Sequence, residues 1–236
     1  MNARFKSSVR NAWLVARRRL SWAFVWLIGI SLLPVLLFRF VDPGGSAVMW
    51  QRHFSEGRVQ NMIWVRYERI SPSMRLAVVA SEDQLFPQHW GFDGGAIRQA
   101  ILDRFEGKSL RGASTITQQV ARNLFLWQGR SFVRKGLEAW YTMWLEILWP
   151  KQRILEVYLN IAETGPATFG VAAAARRYFD VPAHALSESQ AALIAAVLPN
   201  PVVYRVEAPS ERVLARRDWI LRQMHNLGGS RYLEDL

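Results

Sequence analysis

The sequence has no cysteine, which excludes disulfide bonds and thiolate chemistry and is compatible with an oxidising compartment. Runs of alternating apolar and polar residues are missing too, so no segment makes a strong case for a β-strand. No internal repeat shows at a period of about 20–50 residues, which excludes solenoid and propeller arrays. Ser-x-x-Lys, Ser-Asp-Asn and Lys-Thr-Gly are absent, and with them the residues of a penicillin-binding serine acyl-transfer site. Acidic residues are scarce, 19 against 30 Lys and Arg, for a formal charge of +11. That excess suits an anionic membrane surface or a phosphate-bearing ligand. No basic–aromatic array or named nucleic-acid motif accompanies it, so no nucleic-acid partner is expected.

What is present begins with an uneven charge. Arg4, Lys6, Arg10, Arg17, Arg18 and Arg19 fall within residues 1–19, where there is no acid. They precede LSWAFVWLIGISLLPVLL, Leu20 to Leu37, eighteen residues without a charge. At about 1.5 Å per residue this run just crosses a bilayer core, and Pro34 is tolerable in a spanning helix. The bias predicts an anchor over 20–38, with the basic tail 1–19 cytoplasmic and everything beyond about residue 40 outside. A cleaved signal peptide is the alternative, but the run is long for one and no small-x-small cleavage site follows. Residues 39–65 open on a Pro-Gly-Gly turn and read as a juxtamembrane stalk. Residues 66–236 read as one domain, since 236 residues leave room for one sizeable domain plus an anchor.

The domain is predicted to be helix-rich. Ser71-Pro72 reads as a cap followed by proline at the first helical position. Asp93 reads as the cap of a helix with Ile97, Ala100, Ile101 and Phe105 on one stripe. Ile154, Val157, Tyr158 and Ile161 repeat that spacing, with Glu156, Asn160 and Glu163 on another face. Ser187-x-x-Gln190 resembles a capping box ahead of the apolar run Ala191–Leu198, which Pro199 and Pro201 close. The segment 132–149 is rich in aromatics (Trp140, Tyr141, Trp144, Trp149), which suits either a core or a surface dipping into a bilayer interface.

The apolar segment from Met74 to Ala80 runs straight into Glu82 and Asp83. A carboxylate at the end of a buried apolar helix is partly desolvated, which raises its pKa and suits it to proton transfer. The plainer reading is a solvated helix end. Gly112-Ala113-Ser114-Thr115-Ile116-Thr117-Gln118-Gln119 places small residues and hydroxyls ahead of a helix, where N–H groups can meet an anion. It also fits an ordinary helix start capped by Ser114 or Thr115. Gln118 and Arg122 lie one turn apart and could face one ligand. Arg134-Lys135-Gly136-Leu137-Glu138 puts two cations four and three residues before a carboxylate, on one helical face or as a surface salt bridge.

In this order, Glu82-Asp83-x-x-Phe86-x-x-His89-x-Gly91-x-Asp93, the Gly112–Gln119 stretch, Arg134-Lys135-x-x-Glu138, Lys151-x-x-Ile154-Leu155-Glu156-x-Tyr158-Leu159-Asn160 and the weaker Arg176-Arg177-Tyr178-Phe179 resemble motifs of the peptidoglycan glycosyltransferases, over roughly residues 66 to 204. Within that family the chain looks most like the monofunctional, membrane-anchored members. The resemblance implies an all-α, lysozyme-like fold with a cleft between two helical lobes. It implies polymerisation of lipid II into β-1,4 glycan with inversion, release of undecaprenyl diphosphate, and inhibition by moenomycin. Glu82 would be the general base and Glu138 the second active-site carboxylate. Arg122 and Arg130 would meet the diphosphate. Asp83, Phe86, His89, Gly112, Ser114, Thr115, Thr117, Gln118, Gln119, Asn123, Arg134 and Lys135 would complete the substrate site. The fourth motif reads as mostly structural. Arg122 departs from the family's usual lysine, keeping the charge but adding a planar fork.

The resemblance leaves room for a divalent cation (Mg or Mn) at Glu138 and for no organic cofactor. The partners it implies are lipid II, the growing strand, the membrane and cell-division or wall-synthesis proteins, at a bacterial inner membrane with the domain periplasmic. A lysozyme-type glycan-cleaving enzyme would also use carboxylates in a helical cleft, but it needs no basic set for a diphosphate. A non-catalytic scaffold of wall assembly has no use for Glu82 together with Glu138.

Overall fold

The charge-free run lies within one long helix, α1 (Ala3–Phe40). In it, Ala16–Phe40 is the one stretch among the described residues long and apolar enough to cross a membrane. The computed structural model describes residues 3–57, 61–105, 114–129 and 131–236. The chain divides into two units, 1–41 and 42–236.

Part of the segment expected as a stalk is built into the second unit. Ser46 caps α2 (Ala47–Glu56), its hydroxyl accepting from Met49 N at 3.2 Å, and Val48 and Met49 pack with Phe169. Strand β1 (Asn61–Met62) pairs in parallel with β3 (Thr168–Phe169), which pairs antiparallel with β2 (Glu163–Gly165). Strands of two or three residues are too short to show an alternating pattern, so this small sheet leaves no trace in the sequence.

The fold class is all-α, as expected. The helices of the second unit that follow are α3 (Pro72–Glu82), α4 (Gly94–Phe105), α5 (Ile116–Phe125), α6 (Phe132–Leu148), α7 (Lys151–Ile161), α8 (Val171–Phe179), α9 (Glu188–Val197) and α10 (Glu211–Asn226). Helix α9 is buried on nearly every side by Ala191, Ala192, Ile194, Ala195, Ala196 and Val197, as an all-apolar helix must be. It packs on α3 and α10, whereas α5 packs on α6 and α7. The site forms where α3 of the first group meets α5 of the second.

The predicted helix starts hold with one change. Asp93 accepts from Ala96 N at 2.8 Å to start α4, and Ser187 with Gln190 forms the capping box of α9. Ser71 stands ahead of Pro72 but makes no cap bond. Its hydroxyl instead donates to Leu186 O at 2.9 Å, tying the start of α3 to the chain entering α9. In α4, Ile97 is partly exposed; the side chains of Ala100, Ile101 and Phe105 lie outside the described residues. Trp149, just past the end of α6, is buried, while Phe132, Val133 and Ile147 within the helix are exposed.

The stripe of α7 is buried as predicted, but so are Glu156 and Asn160. Glu156 accepts from Tyr67 N at 2.7 Å, and the Asn160 amide pairs with both main-chain groups of Val65 at 2.8 Å. A buried polar side chain must be hydrogen-bonded. Here the bonds fix the chain entering α3.

Candidate active site

Glu82 is the last residue of α3, with its side chain 13% exposed. Each oxygen faces a different element. Oε2 accepts from Gln119 Nε2 of α5 at 3.1 Å. Oε1 faces Arg216 Nη2 of α10 at 3.4 Å. Burial raises the pKa of Glu82, and this outweighs the opposing hydrogen bond from Gln119 and the charges of Arg216 and Arg122; Asp83 adds to the rise. The result is a carboxyl poised to accept a proton, as a general base requires.

Asp83 turns the other way. Its Oδ1 and Oδ2 lie 2.8 and 3.0 Å from His89 Nε2, and Oδ2 also accepts from Ile116 N, at the start of α5, at 2.9 Å. A carboxylate at a helix N-terminus gains from the unpaired N–H groups there. Since His89 Nδ1 accepts from Gly91 N at 3.0 Å, the ring proton belongs on Nε2, donating to Asp83. Lys151 holds the same loop from α7. Its Nζ donates to His89 O at 2.6 Å, pairs with Glu146 at 2.9 Å, and lies 4.6 Å from the centre of the buried Phe86 ring. Gly91 has φ +75°, and an added Cβ would fall 2.6 Å from Thr142 Cγ2, so only glycine fits this approach of the loop to α6.

Thr115 caps α5. Its hydroxyl accepts from Gln118 N at 3.2 Å and donates to Gly91 O at 2.7 Å, while Thr115 N donates to Gln118 Oε1 at 3.1 Å. Gln118 therefore serves the cap rather than sharing a ligand with Arg122; Gln119 is the residue that reaches Glu82. Thr117 is buried and donates to Glu146 at 2.6 Å.

Glu138 is buried in α6, its side chain 2% exposed, between Arg134 Nη1 at 2.8 Å and Lys135 Nζ at 2.5 Å. Both carboxylate oxygens thus already have cationic partners. Among the described residues no three His, Cys, Asp or Glu gather in one place. In this arrangement Arg134 and Lys135 take up the Glu138 carboxylate.

Glu82 lines one cavity, and its partner Gln119 lines another. The smaller, about 140 Å³, is lined by Glu82, Asp83, Asp93, Ser114, Thr115 and Trp219 among others. The larger, about 500 Å³, is lined by Gln119, Arg122, Asn123, Arg134 and Tyr158 together with Val48, Phe169 and Pro199. Arg122 Nε donates to Asn123 Oδ1 at 3.3 Å. Phe86, His89, Thr117, Gln118 and Glu138 stand behind these walls and hold them; Lys135 is half-exposed beside Glu138. Gly112 and Arg130 lie outside the described residues. Two residues at the site escaped the sequence reading. Tyr158 stands in the fourth motif and reads from the sequence as part of a core stripe, and Arg216 lies beyond the matched motifs without a local signal.

A family model described as Transglycosylase matches residues 50–225. The chain is 52% identical over 225 residues to a biosynthetic peptidoglycan transglycosylase of Pseudomonas fluorescens strain Pf-5, covering 93% of each. It is 50% identical over 234 residues to that of Cronobacter sakazakii, covering 96% of this chain and 97% of the other. For that of Xylella fastidiosa strain M23 the figures are 50% over 234 residues, with 97% and 96% covered.

Proposed function

This chain belongs to the transglycosylase family and is a peptidoglycan glycosyltransferase that builds glycan strands for the cell wall, and we propose that it does so with Glu82 as general base between two substrate-binding cavities. The incoming lipid II sets its sugar 4-hydroxyl against Glu82 from the smaller cavity. Glu82 takes the hydroxyl proton as the oxygen bonds to the anomeric carbon of the growing chain. The bond from that carbon to the diphosphate breaks on the opposite side, giving inversion and free undecaprenyl diphosphate. Arg122 and Arg134, on the wall of the larger cavity, meet the charge that develops there; guanidinium groups suit phosphate oxygens. Arg130 joins this set by its place in the motif. The observation that carries this reading is that Glu82 lines one cavity while its hydrogen-bond partner Gln119 lines the other, beside two arginines. A glycan-cleaving reaction would leave those arginines without a leaving group.

Labelled lipid II tests the assignment. The parent is expected to form polymer, and Arg122→Ala to lower turnover about 10- to 50-fold through lost charge-assisted hydrogen bonds. Arg122→Lys should keep much of the activity. Parental turnover in the alanine variant would remove Arg122 from the diphosphate site.

The enzyme works at a membrane. In the finer reading, α1 is a retained anchor, residues 1–19 are cytoplasmic and the second unit lies outside, with the basic cluster as the orienting signal. Intact-mass measurement of membrane-extracted protein is expected to show α1 present, and protease added outside the membrane to digest the second unit. A mature N-terminus beyond residue 40 would overturn the anchor.

A further inference from the structure

The Tyr158 ring belongs to the buried stripe of α7, and packing accounts for the ring. Packing does not account for the hydroxyl, which donates to Gln119 Oε1 at 3.2 Å. Gln119 Nε2 in turn donates to Glu82 Oε2 at 3.1 Å. We propose that Tyr158 is a positioning residue for the general base, holding the Gln119 amide so that its nitrogen, not its oxygen, meets Glu82. The inference rests on the reading of Glu82 as base.

The two ends of a glutamine amide are nearly equal in size and opposite in hydrogen-bonding character. Turned over, Gln119 would set its oxygen against Glu82 Oε2, two acceptors in contact, and that contact is tolerable only if Glu82 carries a proton. A protonated Glu82 cannot act as base. Tyr158 opposes the turned amide because its O–H seeks an acceptor at Oε1, and the bond also polarises the amide and strengthens its N–H toward Glu82. Burial and the charge of Glu82 push the Tyr158 pKa well above 10, so the hydroxyl keeps its proton at any working pH. The other groups facing Glu82 are Arg216 from α10, Arg122 from α5 and the neighbouring Asp83. None of them touches Gln119 Oε1.

Tyr158→Phe keeps the ring and removes only the donor. We expect kcat to fall about three- to tenfold with KM little changed, as for loss of one hydrogen bond. The acid limb of the kcat–pH profile should move to higher pH, because the carboxylate form of Glu82 loses support. Gln119→Leu should move it the same way, and adding Tyr158→Phe to Gln119→Leu should move it no further. Thermal unfolding of each variant separates a folding defect from this effect. An unmoved acid limb in folded Tyr158→Phe, or an equal shift with and without Gln119, overturns the inference alone. Normal turnover in Glu82→Gln would overturn the base reading beneath it.

Discussion

Glu82→Gln is expected to lower lipid II polymerisation about 10²- to 10⁴-fold, the usual worth of a general base, with circular dichroism and lipid II binding close to parental. The amide matches the carboxylate in size, and its oxygen can still accept from Gln119 or from Arg216, though its NH2 then faces the other donor. What it loses is the ability to accept a proton. In the parent, activity should rise through an acid limb placed above the ordinary glutamate range, because burial raises the pKa of Glu82. The sign follows from the role: the base works only when unprotonated, so activity appears as pH climbs past its raised pKa. That limb should be missing from the variant's residual rate. Near-parental turnover in folded Glu82→Gln would remove Glu82 as the base and leave the proton to another group.

Glu138→Gln should damage the enzyme by another route. Its carboxylate faces two cations, and it is Arg134 that reaches the larger cavity. The Arg134 Nε has no hydrogen-bond partner, so the bond from Nη1 to Glu138 is what aims the guanidinium. A neutral amide weakens that hold and leaves a buried arginine poorly compensated. We expect turnover to fall about 10²-fold or more. The stability loss should be about 1–3 kcal/mol, or roughly 2–12 °C in melting temperature, held down because Lys135 is 50% exposed and can turn to water. Both effects should appear together. A large loss of turnover without a shift in melting would mean that Glu138 meets substrate directly instead of through Arg134.

Much of this arrangement can be read from the chain because the relevant forces are local. An apolar helix ending in a carboxylate, a threonine three residues ahead of a glutamine, and two cations one turn before a glutamate each act within a few residues. Glu82, the cap of α5 and the Arg134–Lys135–Glu138 cluster sit where those patterns put them. Tyr158 and Arg216 were not legible because they meet Gln119 and Glu82 across 39 and 134 positions, and their residue types fit plainer roles. Asp83 and Gln118 also do work that the motif does not announce: one lines the smaller cavity and accepts from Ile116 N at the start of α5, and the other closes the capping box of that helix. The small sheet escaped because backbone pairing alone defines it.

The distance between Glu82 and Arg216 also bears on the order in which the molecule matures. Helix α3 is made early, yet the cation that faces its terminal carboxylate belongs to α10, as do Trp219 of the smaller cavity wall and Gln223, which meets Gln84 at 3.4 Å. Long-range contacts of this kind form late, since the intervening chain must be closed first. A growing polypeptide therefore carries a complete set of motif residues well before the residues that face Glu82 from α10. The wall of the smaller cavity is complete only once α10 has been made, so an interrupted chain would hold the signature residues without that wall.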